Sequence, residues 1–328
     1  MVIRGFRLGG STAALLISLL LLLPALALAA TKGADLRVVN TAGKALGEFR
    51  QYTGTVRIRT DPDADCFGPP GGSGNRVKVP GATGLGIVRD ALETDRALRP
   101  LSITDQFSFG LGVCGIGGFE ASGSSFWYLK HNHAGSQVGG DQLKLEGGDQ
   151  VLWYLSPGFP PPVELILRAP ARAKPGVPFE VSAVQFDDSG TRLPGAGATV
   201  TGGTAPVTTG PDGNATVTVA TQGTSTLRAI RSSDGSIPSN RVAVCVNSDL
   251  TKCPDAHGKR ILGSGRADEI AGTRGWDLIS ARGGDDVVDI TSGGRDRISC
   301  GAGDDKVILS LGDGDDEIAA SCEKMVRR

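Results

Sequence analysis

The stretch ARGGDDVVDITSGGRDRISCGAGDDKVI, residues 281–308, decides the fold of the C-terminal part of the chain. Within it, Asp286, Asp296 and Asp305 recur at nine- or ten-residue intervals, and a β-branched aliphatic residue follows each of them two places later. The preceding glycines allow a tight turn, and the aliphatic side chains can stack into a shared core. A period of this length predicts a repetitive parallel β-structure.

The same pattern extends in both directions from this stretch. Aspartates recur with spacings of 9, 9, 10, 9 and 11 residues, at Asp268, Asp277, Asp286, Asp296, Asp305 and Asp316. The aliphatic residue two places on is Ile or Val every time. We therefore expect residues 259–328 to form a β-roll of parallel strands.

These repeats resemble the haemolysin-type calcium-binding (RTX) repeats, whose pattern is G-G-x-G-x-D-x-U-x. The resemblance implies that successive turns alternate between two edges of the roll. One edge would carry Asp268, Asp286 and Asp305, and the other Asp277, Asp296 and Asp316. It also implies Ca²⁺ between a turn and the second turn on, since a hard cation prefers carboxylate and carbonyl oxygens. The strongest such site would lie between Asp286 and Asp305.

Calcium is one of two expectations for these turns. No repeat has the complete glycine pattern, Arg266 stands at a glycine position, and Arg274, Arg282 and Arg295 crowd the turns. Their cations could neutralise the aspartates, and a disulfide could close the last turns without metal. Calcium is the candidate cofactor, and the sequence points to no other.

The first thirty residues are typical of a cleaved secretory signal. Arg4 and Arg7 precede an apolar run over residues 13–23, and the small residues ALALAA follow at 25–30. The run is shorter than the ~20 apolar residues of a membrane span. An uncleaved N-terminal anchor is the alternative. We expect a secreted, extracellular or cell-surface protein with no membrane span after signal cleavage.

Export favours disulfides over metal-binding or catalytic cysteines. The chain has six cysteines, which allow 15 pairings. Each neighbouring pair falls within one compositional segment, so the sequential pairing is expected: Cys66 with Cys114, Cys245 with Cys253, and Cys300 with Cys322.

Composition divides the rest of the chain, and the fold class expected is mainly β. Residues 35–156 hold most of the aromatic residues and are expected to form a small α+β domain with a helix over residues 87–98. The proline-rich residues 157–162 are a stiff linker. Residues 163–246 contain short alternating strands, resemble bacterial Ig-like domains and predict a β-sandwich. Residues 247–258 would be a linker closed by a disulfide.

The N-terminal domain resembles the C-terminal domain of the transcobalamin and intrinsic-factor family. The resemblance rests on Phe126-Trp127-Tyr128-x-x-x-Asn132 and on residues 143–153, LKLEGGDQVLW. It implies that a corrinoid-like ligand, if bound, would meet Trp127, Tyr128 and Asn132. The larger helical partner domain of the vitamin carriers is missing here. The other interpretation is that these aromatics build the core of a small domain.

Other motifs point to no catalysis. The net charge is −1 and the chain has three histidines, which argues against nucleic acid and most metal hydrolases. The string GLGVCG at 110–115 lacks the helix and acidic residue of a dinucleotide site, and His131 and His133 lack a third metal ligand. We expect a non-enzymatic secreted protein for adhesion or ligand display, whose extracellular partner and oligomeric state the sequence does not identify. A small-molecule (corrinoid-like) binding protein is the alternative.

Overall fold

We describe a computed structural model of the chain that covers residues 31–66, 68, 71–312 and 314–328. The expected signal sequence, residues 1–30, lies outside the described residues. Strands make up 44% of the structure and helices 4%, arranged in several sheets. The expected mainly β fold class is confirmed.

The N-terminal part, here called the first unit, spans residues 32–156. Among its described residues the one α-helix is α1, Gly86–Ala91, and a 3₁₀ turn follows at Arg96–Leu98, so the predicted helix over 87–98 is shorter and broken. Its strands are β1 Lys32–Val39, β2 Ala45–Thr53, β3 Val56–Arg59, β4 Arg76–Val79, β5 Leu101–Phe107, β6 Gly110–Ile116, β7 Phe119–Glu120, β8 Phe126–His131, β9 Ala134–Gly135 and β10 Gln150–Ser156.

The core of the first unit lies under one face of the β2-β1-β10-β8 sheet. Strand β1 pairs antiparallel with β2 and parallel with β10, so that Leu36 and Val38 lie beside Val151 and Trp153. All four side chains are buried, together with Ile87 and Val88 of α1. Alternate residues on these strands, including Arg37 and Leu152, therefore lie on the opposite face of the sheet.

The second part, here called the sandwich, spans residues 164–246 and consists of two sheets. The strands are β11 Glu164–Arg168, β12 Arg172–Ala173, β13 Phe179–Phe186, β14 Arg192–Pro194, β15 Thr199–Thr201, β16 Val207–Thr208, β17 Asn214–Val217, β18 Gly223–Ile230 and β19 Val242–Val246. One sheet has the order β11-β13-β14, with β17 also paired to β13, and the other has the order β12-β19-β18-β15-β16. A single aliphatic cluster fills the space between them.

The C-terminal part, here called the roll, spans residues 260–327 and is built from parallel pairs. Its strands are β20 Arg260–Leu262, β21 Glu269–Ala271, β22 Leu278–Gly283, β23 Val287–Asp289, β24 Arg297–Ala302, β25 Lys306–Leu309, β26 Glu317–Ile318 and β27 Lys324–Arg327. They alternate between two sheets, with orders β20-β22-β24-β26 and β21-β23-β25-β27. The aliphatic residues Ile270, Ile279, Val288, Ile298 and Val307 are buried between the two sheets.

One sheet joins the first unit to the roll. Strand β20 pairs parallel with β2, with Arg50 opposite Ile261 and Gln51 opposite Leu262, so nine strands form a single sheet in the order β26-β24-β22-β20-β2-β1-β10-β8-β9. Tyr52 of β2 packs into the core of the roll. The first unit therefore covers the edge at which the roll begins, which an isolated coil of strands would leave exposed.

The structure contains the three disulfides in the sequential pairing expected from the sequence: Cys66–Cys114, Cys245–Cys253 and Cys300–Cys322. Each bond lies within one unit or at its border. The loop between Cys245 and Cys253 includes a short 3₁₀ turn, Leu250–Lys252. Among the residues that the structure describes, no helix has the length and apolar character to cross a membrane.

Candidate functional site

The repeat aspartates form two hydrogen-bonded ladders along the edges of the roll. On one edge, the Asp268 amide donates to Oδ1 of Asp286, and the Asp286 amide donates to Oδ1 of Asp305, each at 2.8 Å. The Asp305 amide continues this ladder to Oε2 of Glu323 at 3.0 Å. Glu323 was not predicted from the sequence. Its position 18 residues after Asp305 is the signal that could have identified it.

The second ladder lies on the opposite edge. The Lys259 amide donates to Oδ1 of Asp277 at 2.7 Å, and the Asp277 amide donates to Oδ1 of Asp296 at 2.8 Å. The Asp296 amide donates to Oδ1 of Asp316 at 2.9 Å. The structure thus places the six predicted aspartates in two rows of three, as the repeat pattern implied.

Hydroxyl groups complete the hydrogen bonding of the carboxylate of the first aspartate in each row. The Ser264 amide donates to Oδ2 of Asp268, and its hydroxyl donates to Oδ1. The amide of Thr273 likewise donates to Oδ2 of Asp277, and its hydroxyl donates to Oδ1. In both turns a Ser or Thr lies four residues before the aspartate, so the carboxylate is satisfied within its own turn.

Asp286 and Asp305 lack such a hydroxyl. The residue four places earlier is Arg282 for Asp286 and Gly301 for Asp305. Both aspartates are buried, and Oδ2 of each has no hydrogen-bond partner among the described residues. An unpaired buried carboxylate oxygen is costly, because the charged form loses its hydration without compensation. These two oxygens, two turns apart on one edge, are the unsatisfied groups of the first ladder.

The charges around Asp286 are negative. Burial raises the pKa of Asp286 to about 7, and the carboxylates of Asp268, Asp305 and Asp285 act in the same direction. The arginines of this edge bind elsewhere: Arg266 pairs with Asp90 at 2.5 Å and Arg282 with Glu93 at 2.5 Å, both in the first unit.

Arg266 and Arg282 therefore hold the roll against the segment that carries α1. The charge of Arg266 also lowers the pKa of Asp268, although burial outweighs it and raises that pKa overall. Among the described residues, neither Asp286 nor Asp305 forms a salt bridge with a basic side chain.

The turns at this edge fit a hard cation. Gly284 and Gly303 have positive φ angles of 104° and 150°, and a Cβ on Gly303 would lie 2.1 Å from the Gly284 carbonyl oxygen. The turns therefore stack closely, with the Gly284 carbonyl oxygen directed at Gly303. No three acidic, His or Cys side chains form a metal-binding group within the described part of the chain, so carbonyl oxygens would complete the shell. Oxygen donors of this kind match calcium.

A second candidate site is an aromatic pocket of about 430 Å³ in the first unit. Phe107 and Phe109 stack at its edge with ring centroids 4.9 Å apart, and Phe109 is 66% exposed. Trp127 and Trp153 form part of the wall. Trp127 is held by a hydrogen bond from its indole nitrogen to the Phe119 carbonyl oxygen at 3.0 Å.

The structure separates the three residues that the sequence placed at one ligand site. Trp127 and Tyr128 both line the aromatic pocket, but the Tyr128 hydroxyl donates to Asp188 of the sandwich. Asn132 lies in the β8–β9 turn with φ of 48°. Its side-chain amide donates to Asp149 at 2.9 Å, and its Oδ1 accepts from the Gln150 amide at 2.8 Å. Asn132 therefore fixes a turn away from the pocket.

Comparison with known proteins gives no family for this chain: no protein-family model matches it, and no curated protein matches its sequence.

Proposed function

We propose that this chain is a non-catalytic, extracellular multidomain protein for adhesion or ligand display, and that its roll binds calcium between the turns of Asp286 and Asp305. The observation that carries the calcium proposal is the pair of buried, unpartnered Oδ2 atoms on these two aspartates. The three disulfides support an oxidising, extracellular location. The first unit and the sandwich would present the binding surfaces, and the shared sheet holds the first unit to the roll.

Calcium is expected to raise the melting temperature of the roll. A ligand that binds only the folded state stabilises it by about 2.7 kcal/mol at a hundredfold excess over Kd, and extracellular calcium sites have Kd values of about 0.1–1 mM. Calorimetry in metal-free buffer, with and without 10 mM CaCl₂, measures the shift. Equal MgCl₂ serves as the control for ionic strength.

Two isosteric variants locate the effect. Asp286→Asn and Asp305→Asn keep the oxygen that accepts the ladder hydrogen bond but remove the charge, and we expect each to abolish most of the calcium shift. Glu269→Gln, an exposed acid at the start of β21, should retain the full shift. If the wild-type transition is the same with and without calcium, the calcium proposal is wrong and the disulfide-closed roll without metal remains.

The aromatic pocket supports a second candidate function, the binding of a flat apolar or corrinoid-like molecule. Its volume of about 430 Å³ falls in the range of small-molecule sites, ~300–1,000 Å³, and stacked rings form its rim. We expect cobinamide to quench the tryptophan fluorescence, after correction for its own absorption.

The matched control compares two exposed phenylalanines. Phe109→Ala removes a ring from the pocket edge and should weaken the quenching. Phe159→Ala removes the exposed ring of the 157–162 linker and should leave the quenching unchanged. Equal titration curves for the wild type and both variants would reject the aromatic pocket as the site at which cobinamide binds.

A further inference from the structure

A large cleft lies where the first unit, the sandwich and the start of the roll meet. Its volume is about 890 Å³, at the upper end of the ~300–1,000 Å³ typical of small-molecule sites. One wall is the outer face of the first unit's sheet, the second is the outer face of β11 and β19, and the segment 254–260 closes the end. Trp276 of the roll stands at the rim and is 41% exposed.

Basic side chains outnumber carboxylates on the cleft wall by seven to three. The first unit contributes Arg37, Arg50 and Lys130, and the sandwich contributes Arg168 and Arg241. Lys259 and Arg260 complete the set, and the three carboxylates are Asp35, Glu48 and Glu164. Because the whole chain has a net charge of −1, the residues outside the cleft are net negative, and the cleft is a local excess of basic side chains.

Several of these cations share or lack a carboxylate. Asp35 pairs with both Arg50 and Lys259, at 2.9 and 2.5 Å, so one negative charge faces two positive charges. The buried ammonium of Lys130 donates to backbone carbonyl oxygens, those of Asp187 at 3.0 Å and Phe186 at 3.4 Å. Arg168 is exposed and has no acidic partner among the described residues. The remaining cations are paired, Arg37 with Glu164, Arg241 with Glu48 and Arg260 with Asp95. The excess positive charge of the cleft therefore lies at Arg168 and at the two cations that share Asp35.

Neutral polar groups and one aromatic ring complete the lining. The side chains of Gln150 and Thr224 are exposed in the cleft and have no hydrogen-bond partner in the described part of the chain. The indole of Trp276 offers a flat apolar face with a polar edge. Phe49 is not available for stacking, because the guanidinium of Arg260 lies 5.1 Å from its ring centroid.

We propose that this cleft binds an acidic oligosaccharide, with its carboxylates on Arg168 and Lys259 and a sugar ring on Trp276. Hydroxyl groups of the sugar would bond to Gln150 and Thr224. Nucleic acid fits less well, because it needs several stacking rings and an extended basic surface, whereas this cleft offers the exposed ring of Trp276 and the residues outside it are net negative. The cleft lies at the edge of the roll that carries Asp277, and Asp286 and Asp305 lie on the opposite edge. Oligosaccharide binding in the cleft is therefore independent of calcium binding at Asp286 and Asp305.

Calorimetric titration of the full chain with tetragalacturonate tests the proposal. In metal-free buffer with 20 mM NaCl we expect saturable binding, and about a tenfold loss of affinity at 150 mM NaCl because added salt screens the charges. Circular dichroism in the same buffer checks that the strands are retained. A repeat in 2 mM CaCl₂ should give the same order of affinities among the variants.

The variants test the two named contacts. Arg168→Glu should weaken binding about tenfold or more, since it replaces attraction by repulsion. Arg192→Glu, the same charge change on the exposed strand β14 of the sandwich, should have no effect. Trp276→Ala should also weaken binding about tenfold, by removal of the stacking surface.

Three results would overturn the proposal. The first is an absence of tetragalacturonate binding by the folded wild type at low salt. The second is an equal loss of affinity in Arg168→Glu and Arg192→Glu, which would mean attraction to overall charge. The third is binding of maltotetraose, citrate or inorganic phosphate as tightly as tetragalacturonate, since a neutral sugar or a simple anion lacks one half of the proposed recognition.

Discussion

Glu164→Ala is expected to lower the free energy of unfolding of this chain by about 3–5 kcal/mol. Glu164, at the start of β11, is 3% exposed and pairs with the guanidinium of Arg37 on β1, which is 8% exposed. The His133 ring also bonds to Glu164 at 3.1 Å and stacks on Phe186. Removal of the carboxylate leaves a buried cation without its partner, and this is the costly way to break a buried ion pair.

Urea unfolding followed by tryptophan fluorescence measures this loss, because Trp127 and Trp153 both lie in the core of the first unit. Glu180→Ala, an exposed acid on the neighbouring strand β13, is the matched control and should change stability by less than about 0.5 kcal/mol. The double variant Arg37→Met/Glu164→Leu should recover most of the loss, since neither charge of the pair is then buried without its partner. If Glu164→Ala lowers the free energy of unfolding by less than about 1 kcal/mol, Glu164 is not the essential partner of the buried Arg37 guanidinium.

The same pair predicts an acid dependence. Burial alone would raise the pKa of Glu164, but the charge of Arg37 and the hydrogen bond from His133 outweigh it and hold the pKa below its usual value. A depressed folded-state pKa gives stability that is present above the unfolded pKa, about 4.3, and is lost as the pH falls through the folded value. The difference between wild type and Glu164→Ala should therefore shrink between pH 5 and pH 3.

The second large effect is expected from the disulfide Cys66–Cys114. It closes a loop with a sequence separation of 48 residues inside the core of the first unit. Loop-closure entropy for a loop of this length corresponds to about 4 kcal/mol. The variant Cys66→Ala/Cys114→Ala should lose about this amount, measured by the same urea titration.

The disulfide Cys245–Cys253 provides the comparison, because its separation is only 8 residues. The same relation gives about 2.5 kcal/mol for Cys245→Ala/Cys253→Ala. Calorimetry reports this loss in the sandwich, which has no tryptophan. If the shorter loop proves the more stabilising of the two, loop-closure entropy is not the dominant contribution of these bonds.

Local sequence patterns were sufficient to predict the roll. The period of the aspartates placed Asp268, Asp286 and Asp305 on one edge because each coil repeats the same turn and strand. The hydroxyl four residues before Asp268 and Asp277 is also visible in the sequence. Sequence alone does not show where that hydroxyl donates, because Ser292 lies four residues before Asp296 and bonds instead to the Thr273 carbonyl oxygen.

Local sequence patterns did not predict the contacts between the units. Sequence spacing assigns Arg266 and Arg282 to the aspartate turns, yet they pair with Asp90 and Glu93 more than 170 residues earlier. The pairing of β2 with β20 is equally remote in sequence. Hydrophobic periodicity records which face of a strand is buried, but not which strand lies at its edge. The cleft at the junction of the three parts depends on these remote contacts, so it could not be predicted from the sequence.

The parallel pairing of β2 with β20 also has a consequence for the order of folding. Each coil of a solenoid gains stability mainly from its neighbour, and the first coil here finds its neighbour in a strand that leaves the ribosome some two hundred residues earlier. The first unit can thus act as a template that sets the register of β20, and every later coil copies that register. Growth of the roll becomes directional, from a preformed seed towards the C-terminus.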